Sequence, residues 1–252
     1  MSVTSELEKF YDSEAKKYHQ TRQKHRADGE MILSSLVSQV EEEEPRILEL
    51  WCWGGRGASL LAEHYDKNFS YTWVDISSKL LGYAKKEHPD FSFVHSEMNK
   101  YLTTLEQESQ DVVLACASFQ HIPDEVSRIT ILKNIFRVLK YDGVLVFTNW
   151  ACSEWFIKTY WKAFIGSSLK SLVGFWKKTR RDVSIPWTSE KGTQYRYYHL
   201  FSLDELRKLV EISGLTILEL HYLDKKWEIT EDRKQANNSF LVAKKTIYKE
   251  HI

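Results

Sequence analysis

The 252-residue, 29.7 kDa chain carries 35 basic and 35 acidic residues, so its formal net charge is zero and no global field draws it to nucleic acid, membrane or acidic substrates. Cys52, Cys116 and Cys152 are odd in number and lack CxxC spacing, which excludes a disulfide framework and a cysteine zinc cluster and makes a reducing cytoplasm the expected setting. The N-terminus is polar and no apolar run approaches the ~18 residues of a membrane span, so a soluble, unexported chain with no resident metal is expected.

In chain order, Leu7, Phe10, Tyr11, Ala15 and Tyr18 fall at helical spacing, and Leu33, Leu36, Val37 and Val40 repeat it. Two helices therefore precede the acidic EEEEP turn and make up an N-terminal unit, 1–45. After Pro45, short apolar runs alternate with helix-length segments: RILEL (46–50), YTWVDI (71–76), FSFV (91–94), DVVLACA (111–117) and GVLVFTNW (143–150) read as buried strands, with helices at 58–65, 77–87 and 123–139 between them. That alternation predicts an α/β, Rossmann-like core over 46–150 with a mostly parallel sheet. Residues 151–201 hold nine Lys/Arg and three acids among many aromatics, a net charge of +6, and read as a basic helical cap inserted before the end of the core. Ser202-Leu-Asp-Glu205 is a capping box opening an amphipathic helix, and ILELHYL (217–223) and SFLVAKK (239–245) form a closing antiparallel hairpin, so 202–252 completes a seven-stranded sheet.

The stretch ILELWCWGGRGASLL (47–61) is a strand, a small-residue loop and a helix start, and Val74-Asp75 follows about 20 residues later. A glycine loop lets backbone approach a nucleotide-type cofactor, and an acid at the end of the second strand takes ribose hydroxyls. The local form E-x-G-x-G-x-G resembles motif I of the class I S-adenosyl-L-methionine (SAM) methyltransferases over residues 46–150. The resemblance implies SAM as cofactor, with Glu49, position 51, position 53 and Gly55 forming motif I. Asp75 then takes the ribose, Ile76 covers the adenine, Glu97 and Met98 touch the adenine edge, and Ala117 and His121 close the strand end facing the methyl donor.

Trp51 and Trp53 stand where that pattern has its first two glycines, and Trp73 where it often has glycine before V-D; the chain has 9 Trp against only 10 Gly. An indole there would lie in the cofactor's volume. Some genetic codes read UGA as Trp and others as Gly, so three tryptophans at three glycine positions are read as UGA glycines decoded as tryptophan. The alternative is a degenerate homologue that has lost SAM binding. Trp227 is left open.

The segments FYDSEAKKYHQTR, DVSIPW (182–187) and RYYHLF (196–201) resemble the tRNA wobble-uridine carboxymethyl methyltransferases, which esterify 5-carboxymethyluridine at the anticodon. The early segment departs from the family pattern at Lys24-His25-Arg26, near its Pro-Trp. The resemblance implies a tRNA anticodon loop as partner and, as in eukaryotic members, a small zinc-binding activator protein. Methylating a carboxylate needs no general base at neutral pH, so positioning dominates. Arg22 and Arg196 are the candidates for gripping the acceptor carboxylate, and Tyr197, Tyr198 and His199 for holding an unstacked base. A small-molecule carboxylate or hydroxyl methyltransferase and a non-catalytic binding module are the competing readings.

Overall fold

The structure is a computed structural model and describes residues 2–22, 27–51, 61–63, 65, 68–161 and 181–246. Trp53, Gly55, Lys24-His25-Arg26 and the cap residues 162–180 lie outside them.

Helices α1 (Val3–Arg22) and α2 (Ala27–Gln39) lead into β1 (Arg46–Leu50). Then come β2 (Ser70–Asp75), α3 (Ser78–Glu87), β3 (Ser92–His95), the short α4 (Met98–Leu102), β4 (Gln110–Cys116), α5 (Glu125–Val138) and β5 (Leu139–Trp150). Helix α6 (Glu154–Thr159) and strands β6 (Asp182–Ser189) and β7 (Gly192–His199) are followed by α7 (Leu203–Ile212), β8 (Thr216–Leu223), β9 (Ile229–Thr230) and β10 (Asn238–Lys244). The main sheet has the order β3-β2-β1-β4-β5-β10-β8-β9; its first five strands are parallel and β10 runs antiparallel to both β5 and β8. Seven long strands match the sequence expectation, and the two-residue β9 adds an eighth at the edge.

Both faces of the sheet are buried because the strands alternate between two cores. Leu48, Leu50, Val74, Val113, Leu145 and Phe147 pack with α1, α5 and α7, whereas Ile47, Tyr71, Trp73, Val112, Leu114 and Val146 pack with α2 and α3. Side chains cap α3, α5 and α7: Ser77 accepts from the Leu80 amide (3.2 Å), Asp124 from Ser127 (2.8 Å) and Ser202 from Glu205 (3.3 Å), each worth about 1 kcal/mol. The expected capping box at 202–205 forms only in this half. The Glu205 carboxylate turns instead to His199 Nε2 (2.8 Å) and Arg181 (2.5 Å). Helix α7 buries Leu206, Leu209 and Val210, contributing about 1.5–3 kcal/mol per side chain, and stops at Gly214, whose φ of 93° suits glycine and whose α-carbon lies against the Phe136 ring.

Residues 151–201 depart from the expected helical cap. Among the described residues, α6 and Trp161 are helical, and β6 and β7 form a separate antiparallel hairpin where a helix was expected. Val183 and Ile185 point inward and Ser184 and Pro186 outward, a period of two that a helix cannot use. The hairpin is fastened to α1: the Glu14 carboxylate accepts from Trp187 Nε1 (3.2 Å) and Ser189 Oγ (2.9 Å), and Lys191 Nζ donates to the Ser13 carbonyl.

Candidate active site

Strand order reverses between β1 and β4, which leaves a crevice at their carboxyl ends, where ligands bind in open α/β sheets. The strand ends and α1 place Trp51, Asp75, Ile76, Ala117, Tyr11, Tyr18, Leu80 and His121 around it. Asp75 is buried, and its Oδ1 accepts the Ser77 amide at 2.7 Å. Desolvation pushes its carboxyl up to about 7, opposed by the Ser77 and Ile76 amides and by His95. Ile76 is buried beside it, and Ala117, at φ 48° with its amide on the Thr148 carbonyl (2.7 Å), presents only a methyl group. Glu49 is fully buried on β1, its carboxylate receiving the Tyr71 hydroxyl. Met98 is packed in the core, and the exposed Glu97 is the N-cap residue of α4.

Trp51 fills much of the crevice. Its amide donates to the Val74 carbonyl (2.8 Å), and Nε1 leans toward the Ser96 carbonyl at 3.5 Å. The indole is buried, and the space left among the lining residues is ≈ 20 Å³, about one water molecule.

Across from it, His121 is 4% exposed, and burial lowers its pKa to about 3, so the ring is neutral at physiological pH. Nδ1 faces the Tyr197 carbonyl at 2.8 Å and therefore carries the proton, leaving Nε2 to accept the Tyr11 hydroxyl at 3.1 Å. Both nitrogens are thus committed, and what His121 can do there is hold Tyr11 in place. Arg196 lies behind Tyr11 with its guanidinium carbon 4.9–5.1 Å from the ring centroids of Trp187, Phe10 and Tyr198, and it hydrogen-bonds Tyr11. It is 4% exposed, its Nε has no hydrogen-bond partner, and among the described residues no carboxylate lies within ion-pair distance of it.

Tyr197 and His199 turn away from this crevice into a buried ionic cluster. His199 Nδ1 meets Asp182 at 2.7 Å, the Tyr197 hydroxyl donates to the same carboxylate, and Arg128 stands 3.8 Å from it. Their side chains hold the hairpin to α5 and α7, so of the RYYH segment Arg196 and Tyr198 are the two beside the site. Arg22 is the last residue of α1, and its side chain lies outside the described residues. The sequence reading took Tyr11 and Tyr18 only as a helical stripe; with Leu80 they line the crevice. The signal for Tyr11 was its place in FYDSEA. Among the described residues there is no group of three His, Cys, Asp or Glu side chains placed to hold a metal ion and no helix long and apolar enough to cross a membrane.

Residues 47–143 match the family described as a methyltransferase domain. The chain is 26% identical over 225 residues to the Bacillus subtilis protein YqeM, named as a methyltransferase, covering 81% of this chain and 85% of that one. It is 28% identical over 142 residues to the tRNA (carboxymethyluridine(34)-5-O)-methyltransferase of Schizosaccharomyces pombe, covering 48% of this chain and 56% of the relative. Its fold superposes on a SAM-dependent methyltransferase of Methanosarcina mazei with a TM-score of 0.67 at 19% identity, covering 84% of this chain and 97% of that one. A chain in the complex of the Haloferax volcanii Trm112 methyltransferase activator superposes over 99% of this chain and 100% of its own length, with a TM-score of 0.66 at 16% identity. Residues 47–143 thus form a methyltransferase domain, and the chain has the fold of the SAM-dependent methyltransferases. SAM is the cofactor of that class, and the residues present fit it in part: Asp75, Ile76 and Ala117 leave a carboxylate, an apolar cover and a methyl-lined strand end for it. Trp51 does not fit, because its indole takes up the volume.

Proposed function

We propose that the protein methylates the carboxylate of a modified wobble uridine in tRNA, in the cytoplasm, together with a small activator protein. This reading takes positions 51, 53 and 73 as glycines of a gene written in an alternative genetic code. The observation that carries the acceptor is Arg196. Burying a guanidinium costs several kcal/mol, and each aromatic face returns about 0.5–2 kcal/mol, so a buried Arg with no carboxylate partner is a prepared seat for an anion brought by the substrate. A forked guanidinium matches a carboxylate in two hydrogen bonds. Trp150, partly exposed and stacked at 4.7 Å on the buried Tyr198 that carries Arg196, offers aromatic surface for an unstacked base. The partial similarity to the fission-yeast tRNA enzyme and the shared fold with the activator-bound archaeal chain support the substrate and the partner.

The test uses the chain with glycine at 51, 53 and 73, SAM, and an anticodon stem-loop carrying 5-carboxymethyluridine. A base-labile methyl gain on the nucleoside is expected. Arg196→Met should slow turnover roughly 10- to 150-fold, the worth of a lost charged hydrogen bond, with SAM affinity unchanged. No methyl ester on this substrate, with SAM bound, overturns the assignment.

A further inference from the structure

Among the described residues, two of the five non-glycine residues with positive φ are tryptophans, Trp51 at 53° and Trp227 at 67°. Bulky side chains rarely enter that region, because the β-carbon crowds the following carbonyl. At Trp227 the geometry is a defined turn. Strands β8 and β9 pair up to Leu223 and Ile229, the Trp227 amide donates to the Asp224 carbonyl (3.2 Å), and the Asp224 amide donates to Glu228 (3.0 Å). Such a hairpin loop ends in one left-handed residue, the bulge position that glycine fills. The Asp224 carboxylate fixes the loop by accepting the Lys226 and Glu228 amides at 2.7 and 3.0 Å, so residue 227 has no room to relax its backbone. Trp73 fails differently. It is fully buried in β2 against Phe93, and its indole N–H is buried with no acceptor.

Other tryptophans show what a fitted indole looks like here. Trp187 donates Nε1 to Glu14 and carries Arg196 and Lys17 on its ring, and Trp150 stacks flat on Tyr198.

We infer that this fold is built around glycine at positions 51, 73 and 227, and around tryptophan at 187. At 51 the difference decides function, since a glycine there removes the indole from between Asp75 and Ala117 and opens the cofactor crevice. Position 227 is far from that crevice along the chain; its indole is partly buried against the sheet core, but its backbone is set by the turn, which makes it an independent case. The inference does not depend on which acceptor is methylated.

Codon identity tests it first. UGA is expected at 51, 73 and 227 and UGG at 187; UGG at the first three, or UGA at 187, overturns it. The second test is the sign of thermal shifts in single variants of the chain. Removing a well-packed indole lowers Tm by several degrees to on the order of 10 °C in a domain of this size, and Trp187→Gly, which removes a partly buried, hydrogen-bonded indole, should do so. Trp73→Gly and Trp227→Gly should instead leave Tm unchanged or raise it, and a drop matching that of Trp187→Gly overturns the inference. Third, equilibrium dialysis with labelled SAM should show binding by the 51/53/73 glycine chain and at least tenfold weaker binding by the parent; equal affinities overturn it. SAM binding without methyl transfer to carboxymethyluridine would sink the acceptor assignment and leave this inference standing.

Discussion

Burial holds the Asp75 carboxyl at about 7, above its ordinary value of 3.8, so between those values the folded chain keeps a proton that the unfolded chain has lost. Stability contributed by this group is therefore present below about pH 4 and falls as pH rises to about 7. Asp75→Asn should raise Tm at pH 8, by up to about 4 kcal/mol of stability, and leave it unchanged at pH 4. Melting curves at the two pH values check this, and equal shifts at both would show that the carboxylate is not the destabilising group. The same substitution should weaken SAM binding in the glycine chain, because a carboxylate is a better acceptor for ribose hydroxyls than an amide. Stability and function thus pull in opposite directions at one side chain.

At the scale of the element, the β6–β7 hairpin is held by a buried ionic cluster as well as by its apolar contacts with Cys152 and Phe156. Asp182, His199, Glu205 and Arg128 meet beneath it, and Arg181 reaches Glu205 from its edge. Burial alone would raise the Glu205 pKa, but His199 and Arg181 outweigh it and hold the carboxyl below its usual value. Its stabilisation is complete above the ordinary carboxylate range and is lost as pH falls through the lowered value. Asp182→Asn leaves Arg128 and His199 facing a neutral group in a buried site, and should cost about 3–5 kcal/mol. Urea titration would show this as a lower midpoint at unchanged slope. Because the Tyr197 carbonyl orients His121, and His121 orients Tyr11, loosening the hairpin also disturbs the crevice wall.

For the whole molecule, the proposed tRNA substrate would have to meet a neutral chain at its basic insertion, which supplies the phosphate footprint under that reading. Affinity for bulk tRNA should fall steeply with salt as condensed counterions are released. Arg181 is engaged by Glu205, so neutralising Lys177, Lys178 and Arg180 is the informative change, and it should reduce the logarithmic salt slope by roughly 2. Filter binding between low and physiological salt measures it. An unchanged slope would remove the insertion from the RNA footprint.

The order of the described strands and helices of the core and the hairpin that closes the sheet were legible in the sequence, because hydrophobic periodicity and turn residues are local properties and the chain alternates cleanly. The same is true of the odd tryptophans, which stand out against a motif whose glycines have a local steric reason. Which residues share the crevice was not legible. Tyr11 and Asp75 are 64 positions apart and Tyr11 and Arg196 185, and only the strand-order reversal at β1/β4 and the docking of the hairpin on α1 bring them together. The roles within RYYH were hidden for a related reason. On a strand, alternate side chains face opposite sides, so Tyr197 and His199 go to the ionic cluster while Arg196 and Tyr198 stand beside the site, and which side is which depends on what packs against each face. Trp73 shows in sequence as a tryptophan where the motif often has glycine, and the folded core adds what the sequence could not, an indole N–H with nothing to receive it.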